Sequence, residues 1–171
     1  MKKISLMIIL LAASAGIYAK NMHPIFGTSE GLIKGCQKLE VFMVESIPVM
    51  SVEQMQGKEY ICDYPVVSSS MVKKKDGKSL ILAVLDTNQY MSGLIKKCPF
   101  MGKYAVRFTK GNQSLTLIIS AEPCDKVIIF CPGSPIDKKH IDIKERSAII
   151  AFIEPLFVVH FQAPKVEDEK K

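Results

Sequence analysis

Tryptophan is missing from this sequence, and arginine occurs only at Arg107 and Arg146. A nucleic-acid binder ordinarily shows clustered arginines interleaved with aromatic rings, so no nucleic-acid partner is expected. No two cysteines stand at the two-residue gap used by zinc sites and thioredoxin-like redox sites. His23, His140 and His160 are far apart, and no two show the i, i+4 spacing of a zinc-binding helix. Neither a metal nor any other cofactor is therefore expected. Glycine-rich phosphate loops are absent. The run Ser68-Ser69-Ser70 lacks the flanking glycines of a nucleophile elbow. No apolar run approaches the roughly 20 residues a helix needs to cross a bilayer.

What is present begins with an export signal. Lys2 and Lys3 open the chain, Ile4 to Ala15 form an apolar run, and Ala13, Ala15, Gly16 and Ala19 supply small residues near a cut. Charge, apolar run and small residues in that order describe a signal peptide. Residues 1–19 are expected to be removed, with cleavage after Ala15 as the competing site. The first cysteine, Cys36, lies well beyond either cut, so a lipid-anchored product is not expected. The expected location is the periplasm or the extracellular space, with no transmembrane segment after cleavage.

The remaining 152 residues suit one domain, expected over 20–164, followed by a charged, flexible tail at 165–171. Without the leader, 21 basic residues stand against 17 acidic ones. The lysines are dispersed, as on a solvated surface. Five cysteines remain: Cys36, Cys62, Cys98, Cys124 and Cys131. In an oxidising compartment some should pair, and an odd number leaves at least one over. Spacing alone does not decide the pairing; Cys98 with Cys124 is the favoured candidate, because both flank one hairpin.

That hairpin is the most regular stretch. Tyr104, Val106 and Phe108 alternate with Ala105 and Arg107, Lys110 to Gln113 is turn chemistry, and Leu115, Leu117 and Ile119 resume the alternation. Leu39, Val41 and Met43 predict an earlier strand, and Val127–Phe130 a short, wholly buried one. A brief strand is expected at Tyr60–Tyr64, stopped by Pro65. Ser68 to Ser70 offer hydroxyl caps to a helix between Met71 and Asp86. Asp142 and Glu145 have capping-box spacing before a second helix that carries Ile149, Phe152 and Ile153 and ends or kinks at Pro155. The sum predicts an α+β fold, a small antiparallel sheet with two helices packed on one face.

Few residues suggest chemistry. Cys131, at a strand end with His140 downstream, is the least implausible thiol nucleophile, with Cys124 as another thiol to weigh. Asp63, Asp86, Glu122 and Asp125 lie near element ends, where capping competes with acid–base work. Cys98-Pro-Phe100, Ala105-Val-Arg-Phe108, Leu117-Ile-Ile119 and Cys124-Asp-Lys-Val127 together resemble a family of small bacterial exported proteins of unknown function. Tyr64-Pro-Val-Val67 and the stretch from Leu85-Asp86 to Tyr90 are similar to it as well, so the resemblance spans roughly residues 60–155. The chain departs from that pattern at Glu122 and Pro123. The resemblance implies an architecture and no activity. The expected function is a non-catalytic binding or envelope-associated module whose partner is an envelope or extracellular protein. The alternatives are a small hydrolytic or thiol-dependent secreted enzyme, and a secreted inhibitor or effector.

Overall fold

The computed structural model describes residues 23–49, 57–92, 96–120, 123–132 and 138–157. The expected leader (1–19) and charged tail (165–171) lie outside the described residues, as do Glu122 and His160.

Among the described residues seven antiparallel strands form one sheet in the order β2-β3-β1-β4-β5-β6-β7. They are β1 (Lys38–Val44), β2 (Tyr60–Ile61), β3 (Tyr64–Met71), β4 (Tyr104–Lys110), β5 (Gln113–Ser120), β6 (Lys126–Phe130) and β7 (Lys139–Asp142). The helices are short: α1 (Glu30–Lys34), α2 (Lys74–Leu85) and α3 (Ala148–Ile153) have 5, 12 and 6 residues. This corrects the expected small sheet with two helices on one face. The sheet is the body of the molecule, and both of its faces carry apolar clusters.

The difference has local causes. Ser68 to Ser70 are not helix caps but the middle of β3, paired with β1. Pro65 does not stop the strand. Tyr60 stands opposite it, and its carbonyl accepts from Glu45 N at 2.9 Å, just past the end of β1. The missing proline N–H therefore falls where no ladder needs it. Asp142 ends β7 and does not cap a helix. Its carboxylate accepts from Lys96 N at 2.6 Å, and α3 starts at Ala148 under Ser147, whose Oγ accepts from Ile149 N at 3.2 Å.

The period-two pattern decides which face each residue serves. Val41, Val106, Leu117 and Ile129 stand in register across β1, β4, β5 and β6. They are fully buried in the main core beneath Ile33 of α1, Leu80 and Val84 of α2, and Ile149 and Ile153 of α3. The alternate residues face the other way. There Phe42, Ala105, Ile118 and Ile128 form the next row and join Ile61 and Tyr64 in a second, smaller cluster. The β4–β5 turn is two residues, Gly111 and Asn112, and Gly111 has φ +56°. A positive φ at the first central residue alone is the type II′ pattern, which glycine adopts without a Cβ clash.

Candidate functional site

The second face of the sheet changes character along its strands. One row beyond the apolar Phe42–Ala105–Ile118–Ile128 row stand Glu40, Arg107, Thr116 and Phe130, in register across β1, β4, β5 and β6. Lys38, Thr109 and Ser114 form the row after that. These rows floor an open groove of about 640 Å³, rimmed by Cys62 and Asp63 from the β2–β3 turn and by Pro132 and Lys138 beside β6. That volume lies in the range of small-ligand and peptide-side-chain sites.

Arg107 sits at the centre. Glu40 is directly opposite it, yet the Glu40 carboxylate pairs with Lys38 Nζ at 2.8 Å. The Arg107 guanidinium lies 5.3 Å from the Phe42 ring centroid instead. At that distance the ring face attracts the cation without using any of its N–H donors. Among the described residues Arg107 has no ion-pair partner. With Lys38 and Glu40 neutralising each other, Arg107 and Lys138 face Asp63, an excess of one positive charge in the groove.

The groove is also where backbone strain collects. Four described residues other than glycine have positive φ: Cys62 (49°), Asp63 (65°), Lys138 (58°) and Arg146 (54°). Three of the four line this groove. The left-handed region costs an L-residue roughly 1–2 kcal/mol, and such residues gather at ligand clamps and active sites. Cys62 and Asp63 form a two-residue turn with both φ values positive, a geometry normally filled by Asn-Gly. Below that turn, burial pushes the Tyr64 phenol above its usual pKa, and the Asp63 charge adds to the shift.

A wider hollow of about 950 Å³ lies between residues 87–92 and β7. Its buried charges, Lys126 and Asp142, are committed to the chain itself, and the half-buried Lys96 beside it is tied in the same way. Lys126 Nζ donates to the Lys96 carbonyl at 2.6 Å and the Cys98 carbonyl at 2.8 Å. Lys96 Nζ donates to the Ile143 carbonyl at 2.9 Å. These bonds tie the 96–98 segment to the sheet, beside the disulfide between Cys98 and Cys124.

The residues singled out from the sequence are dispersed. Cys131 and His140 do not meet. Cys131 packs against the main core and its Sγ is 3.5 Å from Ser29 Oγ, whereas His140 stands opposite Ile128 on the other face, its ring 5.8 Å from that of Phe100. Cys124 is in the disulfide and so offers no thiolate. Burial raises the pKa of the Cys36 thiol, which disfavours the reactive form. His23 is buried; its Nε2 donates to the Leu85 carbonyl at 2.9 Å, while Nδ1 accepts from the backbone N–H of Ile25 and Phe26. Asp86 caps the 3-10 turn Thr87–Gln89, and hydrogen bonds from Gln89 and Asn88 hold its carboxyl below the usual range. No three His, Cys, Asp or Glu side chains among the described residues gather as metal ligands would. Sequence reasoning missed Arg107 as a site residue. The available signal was an arginine inside an alternating strand, on the face away from Val106 and Phe108.

No protein-family model matches the chain, and neither does any curated protein sequence. Among solved structures it is similar to one named "putative lipoprotein", from Clostridium perfringens, with 13% identity and a TM-score of 0.41 over 75% of this chain and 88% of that one. The likeness is too distant for any property of that protein to transfer.

Proposed function

We propose that this chain is exported and acts in the periplasm or outside the cell as a non-catalytic binding module. Its groove takes the carboxylates of an acidic segment on an envelope or extracellular protein. The observation that carries this reading is the coincidence, in one groove, of an arginine that has no ion-pair partner among the described residues and three of the four described non-glycine residues with positive φ. A guanidinium suits a carboxylate, because its parallel N–H groups match the two oxygens. The Cys98–Cys124 disulfide suits an oxidising compartment, and the leader-like start of the sequence supports export. No helix among the described residues is long and apolar enough to cross a membrane. The resemblance to small exported bacterial proteins belongs to the same proposal.

The test uses a labelled synthetic peptide rich in Asp and Glu, and its Asn/Gln counterpart, in fluorescence anisotropy. The acidic peptide should bind saturably and the amide peptide should not. Arg107→Ala should weaken binding roughly tenfold or more, the usual effect of losing a charge-assisted pair. Equal binding of both peptides, or unchanged binding by Arg107→Ala, would overturn the groove reading. Location is tested separately. The oxidised chain should be released with periplasmic contents or medium; a fully reduced chain among cytosolic proteins contradicts export.

A further inference from the structure

The open edge of β3 points to a second copy of this chain. The two-residue β2 covers β3 only at Tyr64 and Pro65, while β1 covers its inner side as far as Met71. Among the described residues, no strand lies on the outer edge from Val67 to Met71. Natural edges are guarded by charge, by proline or by bulges; the β1–β3 register shifts beside Val67, so the regular part of this edge is Ser68 to Met71. Here Pro65 and Lys73 bracket the edge, and nothing between them is charged. Val67 and Met71 are also large apolar residues left 55% and 72% exposed.

We propose that two copies pair antiparallel along this edge, with Ser69 of one opposite Ser69 of the other. The segment Val67-Ser-Ser-Ser-Met71 is self-complementary about that centre. Ser68 meets Ser70, and exposed Met71 of each copy reaches the end of the other's regular stretch beside exposed Val67, where the register against β1 shifts. The same register brings Lys73 of the second copy to Pro65. There Glu59, exposed and with its carbonyl accepting from Val66 N at 2.9 Å, closes the open stretch. A lysine thus arrives beside an acid at each end. An antiparallel pair has its two-fold axis normal to the sheet, so the result is one continuous sheet with both copies presenting the same face. Both grooves then open on the same side. The contact is a short strand pair without a large buried area, so the dimer is reversible and concentration-dependent. This inference stands whether or not the groove binds acidic peptides.

Only a two-fold register places residue 69 against itself, and the test exploits this. Analytical ultracentrifugation of the wild-type chain should show a monomer–dimer equilibrium. Ser69→Lys and Ser69→Glu each set like charges face to face, and each alone should dimerise at least roughly tenfold more weakly. Mixed in equal amounts, the two should form a heterodimer, seen by native mass spectrometry. Ser69 is exposed, so both variants should fold with unchanged circular dichroism; if either does not, Val67→Lys, also at an exposed position, sets a charge beside Met71 at both ends of the pair and should likewise weaken the dimer. A wild-type chain that stays monomeric at its solubility limit overturns the proposal. So does Ser69→Lys dimerising like wild type, or a mixture that yields no heterodimer. Peptide binding by Ser69→Lys reports on the groove independently.

Discussion

Removing the disulfide should destabilise the protein without changing its folded form. Cys98 and Cys124 are 26 residues apart, and the loop they close holds the whole β4–β5 hairpin. Closing a loop of that size lowers the entropy of the unfolded chain by an amount worth about 3.5 kcal/mol at room temperature. That is a large share of the 5–15 kcal/mol typical of a domain. The folded form has other restraints at the same place. Lys126 Nζ holds the Lys96 and Cys98 carbonyls, and the Asp142 carboxylate holds Lys96 N. The Cys98→Ala/Cys124→Ala variant should therefore give a native-like NMR spectrum. In urea its midpoint should fall by roughly 1.5–2 M, taking a slope of about 2 kcal/mol/M. Alanine is the right replacement, because Cys124 is buried and serine would strand a hydroxyl. Cys36, Cys62 and Cys131 lie outside any disulfide, so wild type with reductant should match the variant. A loss below about 1 kcal/mol, or a reductant effect much larger than the double substitution, would refute the reasoning.

Three further outcomes are expected. Gly102→Ala places a Cβ 2.7 Å from Tyr64 Cε1 and 3.0 Å from its Cδ1; shifting that buried ring should cost about 1–3 kcal/mol in urea unfolding. Adding Tyr64→Leu should recover part of the loss, and strict additivity would count against the clash. Lys138→Gly relieves a positive φ of 58° and should raise stability by roughly 0.5 kcal/mol after the entropy of the added glycine, while weakening acidic-peptide binding. Tyr90 is buried, its hydroxyl donates to the Val84 carbonyl at 2.6 Å, and burial, with Asp86 second, pushes its phenol far above the usual value. A raised pKa keeps the proton on in the folded state, so this contribution is complete below about pH 10 and is lost as pH rises beyond it, at roughly 1.4 kcal/mol per pH unit. Tyr90→Phe should flatten that alkaline slope of unfolding free energy, and an unchanged slope assigns it to other groups.

Much of the sheet was legible because its central strands alternate cleanly. Val106, Phe108, Leu117 and Ile119 announce a buried face, and β1, β4, β5 and β6 lie where that pattern predicts. The edges were hidden for a physical reason. An edge strand has less to bury, so β3 carries Ser68, Ser69 and Ser70, whose hydroxyls read equally well as helix caps. In β7 only Ile141 and Asp142 are buried, and the aspartate imitates a cap. The groove was illegible for a different reason. Glu40, Arg107, Thr116 and Phe130 come from four strands and meet only through register, which no local spacing encodes. The left-handed turns at Cys62–Asp63 and Lys138 have no glycine to betray them.

Those turns bear on why the groove exists. A sheet face that merely needs solvating is satisfied by unstrained threonines and lysines, and Thr109, Thr116 and Lys38 already stand on it. Nothing about solvation requires Cys62, Asp63 and Lys138 to sit where a glycine or asparagine would rest more easily. At Cys62–Asp63 the positive φ values serve the fold, because a two-residue turn of that type closes the β2–β3 hairpin; Lys138 is where the need for strain can be separated from the fold. Lys138 N donates to the Ile129 carbonyl at 2.6 Å, and a glycine there keeps that bond. The backbone is therefore held as well without the lysine as with it, and what glycine removes is a cation at the rim beside Arg107. At Lys138, then, the strain is not needed for that backbone bond, and under the proposed function it is the cation it places in the groove with Arg107 that matters.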